Sequence, residues 1–185
     1  MEQLSFDAAG FIEFDLNAGQ IRSAGNETLA LVPFNVLAAL EPGEDLKKTA
    51  QEWGLLHGNR LSEKIADSGK SAGINVLADH LGGIAATMGM GRVRIEIRGD
   101  ALIFKARTES KSNASAGALA LVNGFITGYL NALGEHRFEG VSLGEIKGEQ
   151  CFWVGNSFAA QKVRKFINEG VTPLAAVERL AEGSC

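Results

Sequence analysis

The sequence predicts an α+β protein in which antiparallel hairpins build a sheet packed against a helical layer. Three observations predict it. Val93, Ile95 and Ile97 alternate with Arg92, Arg94, Glu96 and Arg98, Gly99-Asp100 turns the chain, and 102–107 returns, which is the period of a hairpin. A looser hairpin spans 138–154, with its turn near Lys147-Gly148-Glu149. Between them, 115–134 reads as one long helix that is apolar on most sides and must therefore be buried on most sides. Helices thus separate antiparallel hairpins, and the strand–helix–strand crossovers of a parallel sheet are not apparent.

The remaining elements follow in order. Phe11-Ile12-Glu13-Phe14 and Gln20-Ile21-Arg22 flank Asn17-Ala18-Gly19, a turn signal for an N-terminal hairpin. A second extended piece is expected over 28–32. Pro33 opens a short helix over 34–40, which Pro42-Gly43 stops. From 44 to 65 the period is helical: Leu46, Ala50, Trp53, His57, Leu61 and Ile65 share a face, and Gly54 and Gly58 form a small-residue step beside it. A third helix carries Ile74, Leu77, Leu81, Ile84 and Met88 and ends at Gly89-Met90-Gly91. His80 lies off its stripe and is expected at the surface. After the last hairpin, Ser157 is the expected cap of a helix over 158–168, and Thr172-Pro173 starts another over 174–181. These stretches compose one compact domain: a hairpin extension (1–32), an α+β core (33–155) and a helical tail (156–185).

Composition narrows the function. A net charge of -4 predicts neither nucleic acid nor an acidic membrane surface as partner. The arginines of the central hairpin read first as a solvated sheet face and second as a dock for an acidic partner. Without interleaved aromatics they do not suggest nucleic acid. Two distant cysteines, Cys151 and Cys185, make no disulfide framework and no zinc site. The acidic start resembles no signal peptide, and apolar runs fall short of a membrane span, so the cytoplasm is the expected compartment. Three histidines show no metal-ligand spacing, no Gly-x-Ser-x-Gly elbow exists, and Gly89-Met90-Gly91 follows a helix where a dinucleotide loop would follow a strand. No metal, resident cofactor or catalytic residue is expected.

The order of elements, together with Gly124-Phe125-Ile126-Thr127-Gly128-Tyr129-Leu130, Glu145, Gly148 and Cys151-Phe152-Trp153-Val154, resembles the 4-vinyl reductase (4VR) domain family. That family is related in fold to TRAPP vesicle-tethering subunits and, more remotely, to haem-nitric-oxide-binding domains. The resemblance covers roughly 33–154. It implies binding of a small hydrophobic molecule, or scaffolding through protein–protein contacts, as a homodimer. Some members occur in tetrapyrrole metabolism, which leaves an accessory role there as a further expectation. Many members carry two cysteines in the final hairpin. Here Ile146 stands near the earlier position, so the resemblance supports no paired-thiol or metal role. The Tyr-x-Ser-x-Arg element that haem-binding relatives use is absent.

A candidate ligand site follows from the long helix. Ala116, Ala120, Gly124, Gly128 and Ala132 recur every fourth residue and form a stripe almost without side chains. Room beside it, lined by Trp53, His57, Tyr129, Cys151 and Trp153, with Asn123 and Thr127 as further polar groups, would suit a fatty acyl chain or a tetrapyrrole-like molecule. The competing account is that Gly124 and Gly128 admit the helix of Gly54 and Gly58 at short distance. His57 has a second reading as a core histidine, and Cys151 as a small buried hydrophobe. The tail around Phe166, Ile167, Leu174 and Val177 is the candidate partner surface.

Overall fold

Strand alternation and helical periodicity translate into twelve described elements. They are strands β1 (Ile12–Asp15), β2 (Gln20–Ser23) and β3 (Thr28–Leu29), helices α1 (Glu44–Ser68) and α2 (Ile74–Thr87), strands β4 (Arg92–Arg98) and β5 (Ala101–Arg107), helix α3 (Ala116–Leu133), strands β6 (Phe138–Ile146) and β7 (Glu149–Asn156), and helices α4 (Ser157–Asn168) and α5 (Pro173–Glu182). The structure, a computed structural model, describes residues 6–23, 28–29, 36, 39–68, 73–98, 101–107, 115–134 and 137–182. The short helix expected at 34–40 lies mostly outside the described residues, as do Cys185 and His136. The extended piece expected over 28–32 is described only as β3.

The two hairpins foreseen from the sequence join into one antiparallel sheet, ordered β4-β5-β7-β6. The seam between them is the β5–β7 pairing, which sets Phe104 opposite Phe152, Ile103 opposite Trp153 and Lys105 opposite Cys151. The β6–β7 turn is Lys147-Gly148, both with positive φ (55° and 77°), as a tight two-residue hairpin requires. A register shift between Ser142 and Gly144 leaves Leu143 as the extra residue of a bulge. The N-terminal strands form a separate small sheet, β1-β2-β3. Its first turn is held by Asp15, whose carboxylate accepts from the amides of Asn17 (3.1 Å) and Ala18 (2.9 Å).

Because side chains alternate across a strand, the four-stranded sheet has two apolar faces, and both are covered. Phe104, Ala106, Phe152 and Val154 pack with Leu81, Ile84, Phe125, Ile126 and Tyr129 under the α1, α2 and α3 layer. Ile103, Val141, Leu143, Cys151 and Trp153 pack with Ala160, Val163, Ala176 and Val177 of the tail helices. The tail is therefore a second helical layer, and the apolar residues expected to meet a partner turn onto the chain's own sheet: Val177 is buried, and Phe166 and Ile167 pack partly buried against the same cluster. Phe158 is the tail's exposed aromatic, with the Lys162 ammonium 4.5 Å from its ring centre. Beyond the tail's cover this face carries ions. Glu96 pairs with Arg98 (2.6 Å) and with Lys105, and Arg94 pairs with Glu149. The Lys105 and Arg98 hydrogen bonds hold the Glu96 carboxyl below its ordinary value.

Helix ends follow local chemistry. Ser115 caps α3, accepting from the Ala118 amide at 3.1 Å. At α4 the cap is Asn156, not the expected Ser157: its side-chain oxygen accepts from the Ala159 amide at 2.9 Å, and Ser157 is the first helical residue. Strand β7 runs to Asn156 itself, so the last strand residue is also the cap. Asn156→Ala should therefore lower unfolding stability by about 1 kcal/mol in a denaturant titration, whereas Asn156→Asp, which retains an acceptor, should restore it. Equal midpoints for all three proteins would remove Asn156 from that role.

Helix α3 is long and apolar enough, by length and composition, to cross a membrane. Here it lies between α1 and the sheet, with eleven of its residues buried. On the sheet side it carries a polar ridge, Asn123, Thr127 and Asn131, along edge strand β6. Asn131 accepts from the Phe138 amide at 2.5 Å and donates to the Phe138 carbonyl at 3.4 Å, so the helix satisfies the start of the strand. The Arg164 guanidinium of α4 reaches the same strand from the other face, pairing with Glu139 at 2.9 Å.

Candidate functional site

The bare stripe on α3 meets main chain. A Cβ on Gly128 would overlap the Gln51 carbonyl oxygen and lie 2.7 Å from its carbon, and one on Gly124 would lie 2.8 Å from both the Lys47 carbonyl oxygen and the Ala50 Cβ. The converse holds on α1. A Cβ on Gly54 would overlap the Phe125 carbonyl oxygen and lie 2.8 Å from the Tyr129 amide nitrogen, and one on Gly58 would lie 2.6 Å from the Ala132 Cβ. Two small-residue steps thus interlock, and the helices touch backbone to backbone. Of the two accounts open from sequence, close helix approach describes the space beside Gly124 and Gly128.

The nine residues singled out from sequence fall in four places. Gly124 and Gly128 form the α1–α3 contact. Asn123 and Thr127 face β6: a Cβ on Gly140 would lie 2.7 Å from the Thr127 hydroxyl and overlap the Asn123 side chain. The Thr127 hydroxyl donates to the Asn123 carbonyl at 2.7 Å. Cys151 and Trp153 lie across the sheet, beneath the tail helices. Burial pushes the Cys151 thiol up, with Lys105 opposing, so it stays protonated at neutral pH. Its hydrogen points to the Glu149 carbonyl, 3.6 Å away.

Trp53, His57 and Tyr129 do come together, around Phe125. The Trp53 and Phe125 rings meet edge to face at 5.4 Å, His57 lies 6.0 Å from Phe125, and Tyr129 stacks on Phe125 at 6.3 Å. The sequence reading missed the rest of this ring cluster. Phe11 lies 5.4 Å from His57, Phe6 lies 5.3 Å from Phe11, and His80 stands edge-on to Phe6 at 5.8 Å. His80 is buried, at 5% exposure, and not at the surface as expected. The signal was absent from its helix, because the Phe6 ring that stands against it comes from the segment before β1.

The cluster is uncharged but not apolar. Burial holds the His57 imidazole down at about 4. Burial, and then the Lys64 charge, lower His80, with Asp79 opposing. Burial raises the Tyr129 phenol, so it remains a donor. Two of the polar atoms here, the Tyr129 hydroxyl and His80 Nε2, are buried and hydrogen-bond to nothing among the described residues. An unmet buried donor or acceptor costs roughly 1–3 kcal/mol. The described residues also contain no group of three or more histidine, cysteine or acidic side chains placed to hold a metal ion.

No protein-family model matches the chain, and no curated protein matches it. Among solved structures, the fold is similar to the crystal structure of the phenol-responsive sensory domain of the transcription activator PoxR with phenol. The TM-score is 0.54 at 15% identity, over 80% of this chain and 85% of that chain. The likeness is one of fold.

Proposed function

We propose that this protein is a small-molecule-binding sensor domain of the 4VR type, without catalysis of its own. Its ligand is an aromatic, largely apolar molecule carrying one hydrogen-bonding group. The observation that carries the reading is that two polar atoms of the aromatic cluster, Tyr129 Oη at one end and His80 Nε2 at the other, are buried and unmet among the described residues. Such atoms are costly unless something pairs with them. Neutral histidines and a protonated phenol offer both donors and acceptors to an uncharged guest. A fold shared with a phenol-responsive sensory domain supports the same reading. An acyl chain or tetrapyrrole, the guests suggested by the small-residue stripe, loses its support, since that stripe is filled by α1.

Calorimetric titration with phenol and with toluene tests this. Phenol should bind saturably and more tightly than toluene. Tyr129→Phe should narrow the difference between them by about tenfold, as loss of one hydrogen bond to a polar ligand does. The same variant should raise the ligand-free melting temperature by about 2–4 °C, because it removes an unpaired buried hydroxyl at a gain of about 1 kcal/mol. Absence of saturable binding by either compound would defeat the proposal.

A further inference from the structure

The segment before β1 lies across the His80 side of the cluster, and its outer part, residues 6–10, is only slightly attached. Phe6 seats its ring on Gly83 of α2, where a Cβ would lie 2.8 Å from the ring Cε1 and overlap two nearer ring atoms. That ring stands edge-on to His80, the residue whose Nε2 is buried and unpaired. Phe11 continues inward to His57. The segment is tied down by the Phe6 amide, which donates to the Asp79 carboxylate at 2.8 Å in an exposed bond. Its other hydrogen bonds among the described residues are internal: Ala9 to Asp7 at 3.0 Å and Phe11 to Ala8 at 3.4 Å. It forms no strand pairing before Ile12. Phe11 is buried in the core and anchors the end of the segment, but residues 6–10 are held among the described residues by one exposed hydrogen bond and a partly buried ring, and such a stretch belongs to the parts of a fold that open first.

We infer that residues 6–10 are a strap, hinged at the buried Phe11, that closes the His80 side of the aromatic cluster, with the Phe6 ring as a tethered competitor for the place an incoming aromatic ring takes. The ligand class rests on the function proposed above; the strap itself does not. A tethered side chain competes at a high effective concentration, so the measured affinity is reduced by the fraction of time the strap is shut. Removing the ring, or its seat, opens the site.

The test uses the full chain in three forms: unaltered, Phe6→Ala and Gly83→Ala. The second variant keeps the ring but fills its seat, and alanine favours the helix it sits in. Two measurements are made on each: phenol affinity and association rate, and the rate of His80 carbethoxylation by diethyl pyrocarbonate without ligand, mapped by mass spectrometry. The strap predicts about tenfold faster modification of His80 in both variants, and about tenfold tighter, faster phenol binding. Faster modification with no phenol binding in any of the three proteins supports the strap and defeats the proposed ligand class. An unchanged His80 rate in both variants overturns the strap, whether or not phenol binds.

Discussion

Gly128→Ala should destabilise the protein by about 3 kcal/mol or more, lowering the melting temperature by roughly 6–12 °C. Alanine is the better helix former by about 1 kcal/mol, so on propensity alone the substitution would stabilise α3. Sterics decide the opposite. The new Cβ meets the carbonyl of Gln51, which belongs to the backbone of α1 and has no rotamer into which it can retreat. The whole helix must move, and with it the Trp53, His57 and Leu61 packing that α1 brings to the core. Gly54→Ala should behave alike, since its Cβ meets the Phe125 carbonyl. Gly43, where an added Cβ meets nothing within 4 Å, is the control, and Gly43→Ala should stay within about 0.5 kcal/mol of the parent. Thermal or denaturant melting of the three variants reads the difference. Matching midpoints for Gly128→Ala and Gly43→Ala would show that the helices do not meet main chain to main chain.

Lowering the pH from 6.5 to 4 should remove about 3 kcal/mol of stability through His57 alone. In the unfolded chain this histidine titrates near its ordinary value of 6.5; in the fold, burial takes it to about 4. Between these values the unfolded state holds a proton that the folded state does not. Stability contributed by His57 is therefore complete above 6.5, declines through the window, and is fully lost near 4. His80 is lowered as well and adds to the slope in the same direction. The carboxylates held down by ion pairs, Glu96 and Glu139, act at lower pH, because their losses begin only where an ordinary carboxylate takes up its proton. Denaturant midpoints measured across this window for the parent and His57→Phe check the assignment. The variant should flatten the upper part of the curve, and an unchanged slope would mean that His57 is free to charge in the fold.

The hairpins, the long helix and the paired small-residue steps were legible because each rests on a local period. Alternation fixes which strand residues share a face, and a four-residue spacing of glycines marks a close approach. What approaches is not a local property. A missing Cβ is equally compatible with a ligand and with a helix, and only the placement of Gln51 and Phe125 decides it. The candidate site was split for a related reason. Cys151-Phe152-Trp153-Val154 is an unbroken apolar run, which is the pattern of a strand covered on both sides. Alternation sends Phe152 to the aromatic cluster and Cys151 with Trp153 to the tail. The tail's amphipathic helices suggested an outward partner surface because nothing in their sequence tells an internal partner from an external one. His80 was misplaced because its cover comes from Phe6, far away in the chain and outside any helical period.

The interlocked glycine steps also govern how this protein can deform. Two helices that touch along their main chains have no intervening layer of side chains to reorient, so α1 and α3 travel as one body. Elastic freedom is left to α2 and to the stretch leading into the first strand, which rest on that body through side chains such as Leu81, Ile84, Phe6 and Phe11. A message from a bound guest would therefore leave the molecule through its softer margin and not through its spine.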